Sequence, residues 1–220
     1  PLTAQSLTKT AVILGQARED ASVVALTLVK IPKTTPLTLA QELLERRESE
    51  PKALLKQVAD YVHEQGVPVR TLLQATRSIS AGILSVAEAR GGVRLILMGW
   101  RGQLTSQRVA GSVVKDVVRG ARCNVAVLRD RGVDNIQQVL VLMGGGPHAR
   151  LALRLAWDIA MGEGAQLTAL RFLPEDGELD MGVEMDALRQ AVEDVLGEVP
   201  DAVTTRLVRS DSLVFGALAE

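Results

Sequence analysis

The stretch Leu95–Arg129, LILMGWRGQLTSQRVAGSVVKDVVRGARCNVAVLR, decides how the chain is read. It opens on an apolar run with no polar alternation, the pattern of a strand buried on both faces. A loop bearing Gly99, Gly102 and Gly111 follows, then a helical pattern over Val113–Val118 and a second apolar run over Val125–Leu128. Parallel strands joined through a helix produce this order, and ligands of open α/β sheets bind at the carboxyl ends of such strands. The N-terminus of the following helix offers unpaired N–H groups and a partial positive charge to an anion. Glycines let the backbone approach a phosphate, Gly111-Ser112 sits where a hydroxyl and backbone amides grip one, and Arg101 adds a charge. A second account stays open on these residues alone: Gly99 and Gly102 serve tight turns, and Ser112 is a helix cap.

Working outward, the 220 residues suit one large domain or two small ones. Hydrophobic residues make up 47% and charged residues 23%, the proportions of a folded globular chain. Aromatics are 2%, so Val, Leu, Ile and Ala must fill the core, as they do where helices cover a parallel sheet. The net charge of −1 with mixed signs leaves no basic face for a nucleic acid. One cysteine, Cys123, rules out an internal disulfide framework and fits a reducing compartment such as the cytosol. No apolar run approaches the roughly 18–20 residues that span a bilayer.

Upstream, the spacing predicts a helix over 3–18, a strand over Val23–Ile31, a loop over Pro32–Pro36 and a helix from Glu50-Pro51 to Gly66. A strand over Val67–Leu73, a helix over Ala81–Ala89 closed by Gly91-Gly92 and the strand Val93–Met98 lead into the glycine loop. Arg129-Asp130-Arg131-Gly132 reads as a charged linker. Beyond it a strand over Val139–Met143, a glycine turn, a helix over Ala149–Met161, a strand over Leu167–Leu173 and a helix over Met185–Leu196 begin the order again.

SISAGILSVAE at Ser78–Glu88 resembles SDSLVFGALAE at Ser210–Glu220, and VALTLV at Val24–Val29 resembles LTALRF at Leu167–Phe172. The chain is therefore expected to hold two related α/β units, 1–132 and 133–220. The first begins with a helix where the second begins with a strand, and the second stops in the helix before its own glycine loop. Burying one Val or Leu gains about 1.5–3 kcal/mol and net domain stability is about 5–15 kcal/mol, so a missing central strand matters. The expectation is that the native polypeptide extends past both ends or that another chain supplies the strands.

The run LILMGWRG, AGSVVKDVVRG and ARCNVAVLR resembles the end of a universal stress protein domain, with Gly-x-x-Gly after a strand, a spacer, Gly-Ser, a helix and a final strand. The resemblance implies open parallel sheets flanked by helices, each incomplete at one end of the segment. In ATP-binding members the two leading glycines, the later glycine and its Ser hold ribose and phosphates. The candidate residues for ATP or AMP are accordingly Gly99, Arg101, Gly102, Gly111, Ser112 and Val113. Eight residues separate Gly102 from Gly111, one fewer than usual in nucleotide-binding members, and Ala121–Val125 carries neither of the family's prolines. In many members the last strand pairs across a two-fold axis, which implies a homodimer or an inter-repeat pseudo-dimer through Asn124–Leu128.

In the second unit, Gly144-x-Gly146-x-x-Ala149 formally fits a dinucleotide fingerprint, but Glu175 and Asp176 lie beyond the expected separation of about 20 residues. Under the resemblance this turn replaces the usual Asp-Gly-Ser, so the second unit reads as degenerate. The wording GWRG and GGGPHA is similar to paired stress-protein domains appended to bacterial and archaeal transporters, including amino-acid permeases and chloride channels. That implies a transporter membrane domain in the same polypeptide and a cytoplasmic place at the inner face of the membrane.

Catalytic constellations are not evident. His63 and His148 are far apart and form no metal-ligand motif. No nucleophile elbow or Walker-type loop occurs. Cys123 lies at a strand entrance and reads as a buried, inert thiol, and the acidic runs Glu45–Glu48 and Glu175–Glu178 read as solvated faces. Trp100 has two roles open to it, stacking on a base or capping the sheet edge. The sequence thus predicts a non-catalytic binding module, with a free-standing stress protein and a weak ATPase or nucleotide hydrolase as the alternatives.

Overall fold

The computed structural model describes residues 2–46, 50–100, 112–132, 135–175 and 179–210. The chain divides into two compact units, Pro1–Gly132 and Val133–Glu220. In the first, α1 (Leu2–Gln16) leads to β1 (Val23–Lys30), α2 (Leu37–Arg46), α3 (Glu50–Glu64) and β2 (Val69–Thr76). Then come α4 (Ile79–Arg90), β3 (Leu95–Gly99), α5 (Ser112–Gly120) and β4 (Asn124–Leu128). The second unit runs β5 (Gln138–Leu142), α6 (Pro147–Glu163), β6 (Gln166–Leu173), α7 (Met181–Leu196) and β7 (Val203–Arg209). Every strand pair is parallel, so each crossover carries a helix.

Local chemistry sets the helix ends. Ser78 caps α4 by accepting from the Ala81 N–H, and Asp180 caps α7 by accepting from the N–H groups of Gly182 and Val183. At the far end of α6, Gly164 takes a left-handed conformation (φ 65°) and its N–H donates to the last-turn carbonyls, an arrangement open to glycine at no steric cost.

The second unit holds a three-stranded sheet in the order β5-β6-β7. Its central strand β6 has neighbours on both edges, and Leu167, Ala169 and Leu170 are fully buried there. Leu153 and Ala160 of α6 and Leu188 and Val192 of α7 close the core.

The first unit is built differently: β1 pairs with β2 and β3 pairs with β4, but among the described residues the two pairs are not joined. α1 packs on both β1 and β3 and against α3, while α4 packs on β1, β2 and α5. Along β1, Val23 lies beside Gly15 of α1 and Leu28 beside Gly82 of α4. Odd and even positions of a strand point to opposite faces, so helices cover β1 on both. Even so, Val23–Val29 is half-buried throughout, as is all of β3. The sequence predicts a doubly buried strand at Val93–Met98; the structure leaves it half-covered, with a strand on one edge alone among the described residues.

Two elements appear that the periodicity does not announce. α2 follows directly on Pro36, with Ala40 as its buried residue. β7, VTTRLVR, mixes polar and apolar residues and becomes a strand by pairing with β6 from Leu167↔Val203 to Leu173↔Arg209. β2 begins and ends later than Val67–Leu73, because Val67 is drawn into the small core with Val12 and Val62. The helix expected within 210–220 lies outside the described residues beyond Ser210.

Candidate functional site

The carboxyl ends of β3 and β4 form the edge at which the sequence places the ligand. Gly99 is the last residue of β3, in register with Leu128 at the end of β4. The Trp100 N–H donates to the Leu128 carbonyl at 2.9 Å, so this amide closes the sheet and is not offered to a ligand. The guanidinium of Arg129 lies 5.4 Å from the centroid of the Trp100 ring, a cation–π contact that occupies one face of the indole. Trp100 thereby caps the end of the sheet.

Of the other candidate residues, Ser112 opens α5 and Val113 is half-buried in its first turn. Val114 and Val117 bury the inner face of that helix. Arg101, Gly102 and Gly111 lie outside the described residues. The structure therefore places Gly99 at the strand end and Ser112 and Val113 at a helix start, the polarity that suits an anion.

Residues read in the sequence as a charged linker belong to this edge. Arg129 covers Trp100, while Asp130 accepts from the Ser6 Oγ of α1 at 2.7 Å and from the Gly132 N–H at 2.7 Å. Their position immediately after the final strand was the available signal, since that is where the chain leaves a parallel sheet at its ligand-binding edge. Close by, Ser80 of α4 donates to Asp116 of α5 at 3.4 Å.

The glycine turn after β5 shows no cradle. A Cβ placed on Gly144, Gly145 or Gly146 would meet nothing within 4 Å, and none of the three has a positive φ. The α6 start has no side-chain cap, with Pro147 in its first turn. His63 lies in the last turn of α3 and His148 in the first turn of α6, in different units. Cys123 is half-buried just before β4. Among the described residues no group of three His, Cys, Asp or Glu is placed to hold a metal ion. No helix among them is long and apolar enough to cross a membrane.

Comparison with known proteins gives this architecture a family. Against solved structures, the chain is similar to a universal stress protein from Archaeoglobus fulgidus DSM 4304, with a TM-score of 0.64 at 17% identity, covering 94% of this chain and 74% of that one. It is also similar to the cytoplasmic domain of a prokaryotic cation chloride cotransporter, with a TM-score of 0.57 at 15% identity, covering 94% and 76%. At these identities the likeness establishes the fold. Among curated proteins, 77 residues are 36% identical to Cation/H(+) antiporter 15 of Arabidopsis thaliana, a match over 31% of this chain that spans 9% of the antiporter's length. Residues 2–129 match the family model described as Universal stress protein family, and the chain belongs to that family.

Proposed function

We propose that the chain is a non-catalytic tandem stress-protein module acting as the cytosolic regulatory region of a membrane transporter. The observation that carries this reading is the 36% identity to a cation/H+ antiporter of which the matched stretch is a small part. The likeness in fold to a cotransporter's cytoplasmic domain is consistent with it. Two compact units, each with its own parallel strands and crossover helices, support the tandem arrangement.

The first unit binds adenine nucleotide, ATP or AMP, in this proposal. Gly99 and the start of α5 supply the anion-favouring geometry, with Arg101, Gly102, Gly111, Ser112 and Val113 as the binding set. Arg129 adds positive charge at the same edge. The outer edge of β4 has no strand partner among the described residues, and Val127 is 39% exposed, which supports pairing of Asn124–Leu128 across a two-fold axis.

A thermal-shift titration with ATP and AMP, with the nucleotide followed over hours, tests the ligand. Stabilisation without turnover, abolished by Gly111→Val in a protein that still folds, is the expected result. Turnover makes the protein a hydrolase, and an unchanged shift in the Gly111→Val protein removes the loop from the site. The full-length reading frame, read together with membrane fractionation of the native protein, tests the transporter. A reading frame without membrane spans would make it a free-standing stress protein.

A further inference from the structure

Arg129 follows the last strand of the first unit and is half-buried, as is Trp100 beside it at the end of β3. A half-buried guanidinium ordinarily meets an acceptor, because its N–H groups lose water on burial. Arg171 does so by pairing with Glu184 at 3.2 Å, and Arg154 by donating to the Val195 carbonyl. Arg129 is different. Its guanidinium lies 5.4 Å from the centroid of the Trp100 ring, and among the described residues no carboxylate or carbonyl accepts from it. A ring face attracts the charge but is a poor hydrogen-bond acceptor, so the donors of Arg129 stay available.

The neighbouring carboxylate is turned elsewhere. Asp130 accepts from the Ser6 Oγ through one oxygen and from the Gly132 N–H through the other, both at 2.7 Å. These bonds hold the chain where it leaves β4, and they direct the carboxylate to α1 and to the turn instead of to Arg129. With the backbone held there, Arg129 exchanges one contact for another by rotating its side chain.

The sheet places this pair at the candidate nucleotide edge. β3 and β4 are in parallel register from Leu95↔Asn124 to Gly99↔Leu128, so Trp100 and Arg129 leave the sheet together. α5 carries the chain back to the amino end of β4, and its N-terminus therefore lies at the same carboxyl edge. An anion at that edge meets the N–H groups of a helix start and, on the adjoining strand end, a guanidinium with open donors. A guanidinium binds paired oxygens of a phosphate side by side through charged bonds, which a ring face does not offer.

We propose that Arg129 is a phosphate-binding residue held in reserve on Trp100: it rests on the indole while the edge is empty and turns onto a phosphate group of the nucleotide when the edge is filled. This rests on the nucleotide reading of the first unit and adds a residue that lies outside the glycine-loop set. The resting contact must break before the new one forms, so Trp100 lowers the affinity that Arg129 supplies.

The test measures binding of ATP, AMP and adenosine by calorimetry to the 220-residue chain and to its Arg129→Gln and Trp100→Leu variants. Arg129→Gln is expected to weaken ATP and AMP at least about tenfold and to leave adenosine unchanged. Trp100→Leu is expected to strengthen ATP about two- to fivefold, because the resting contact is gone. The Arg129 Nε–H signal, identified by its loss in Arg129→Gln, is followed by NMR in the unsubstituted chain. The ring current holds it upfield at rest, and ATP or AMP, but not adenosine, moves it downfield. Should Trp100→Leu fail to fold, this signal decides. ATP binding with the signal unmoved and with unchanged affinity in Arg129→Gln overturns the proposal and leaves the nucleotide site standing. Weaker ATP binding in a folded Trp100→Leu protein means that the ring serves the ligand, which overturns the resting role. A response to inorganic phosphate equal to that to ATP overturns the nucleotide as the source of the phosphate. No binding of ATP or AMP by the unsubstituted chain overturns the nucleotide reading and this proposal with it.

Discussion

Gln41 of α2 pairs with the outer edge of β2 as a neighbouring strand would: its Nε2 donates to the Leu73 carbonyl at 3.1 Å and its Oε1 accepts the Ala75 N–H at 3.0 Å. An open strand edge invites pairing with another chain, and one side chain here satisfies both backbone groups. Gln41→Leu keeps the helix propensity and removes both bonds. The expected loss is about 1–2 kcal/mol, with increased self-association. Urea unfolding and sedimentation measure the two effects.

Gly120 lets α5 end against α4. A Cβ there would stand 2.6 Å from Leu84 Cδ1, so a side chain at this position requires Leu84 to move. Gly120→Val is expected to destabilise the first unit by about 1–3 kcal/mol through overpacking. Leu84→Ala in the same protein should restore part of that loss. A double-mutant cycle by thermal unfolding checks the coupling, and strictly additive effects would place the cause elsewhere.

The bond from Ser6 Oγ to Asp130 joins positions 124 residues apart and fastens the start of α1 to the end of β4. Asp130→Ala removes this bond and the one from the Gly132 N–H. The expected cost is about 1–2 kcal/mol, with faster amide exchange over the first two turns of α1. Uniform exchange across the unit would instead mean that Asp130 acts on the whole fold.

The second unit carries its own core, with Leu153 fully buried in it and Trp157 packed against it. Leu153→Ala should cost about 2–5 kcal/mol. The protein has two tryptophans, Trp100 in the first unit and Trp157 in the second. In a Trp100→Phe background, fluorescence therefore reports on the second unit alone, and a lowered midpoint there is the expected outcome.

Much of the fold is legible in the residues. The unalternated runs at Val23–Val29 and Leu95–Met98 announce parallel strands, and Gly91 marks the end of a helix where the structure has it. The edge bearing Gly99 and Ser112 is legible for the same reason, since the order of strand, glycine loop and helix is local. The contacts that Arg129 and Asp130 make at that edge were not legible, because their partners Trp100 and Ser6 are distant in sequence. α2 and β7 were hidden for a related reason. The short, proline-flanked LTLAQELLER is held by what Gln41 bonds on β2, and VTTRLVR becomes a strand through its pairing with β6.

By itself the sequence determined the order of the helices and strands other than α2 and β7, the parallel α/β class and the position of the glycine loop, because hydrophobic period and capping chemistry act over a few neighbouring residues. Tertiary structure alone decided which strands are neighbours. Val24 and Leu97 are apolar enough for the middle of a sheet, yet they line an edge, because burial depends on what lies beside a strand and periodicity reports only what the strand itself contains.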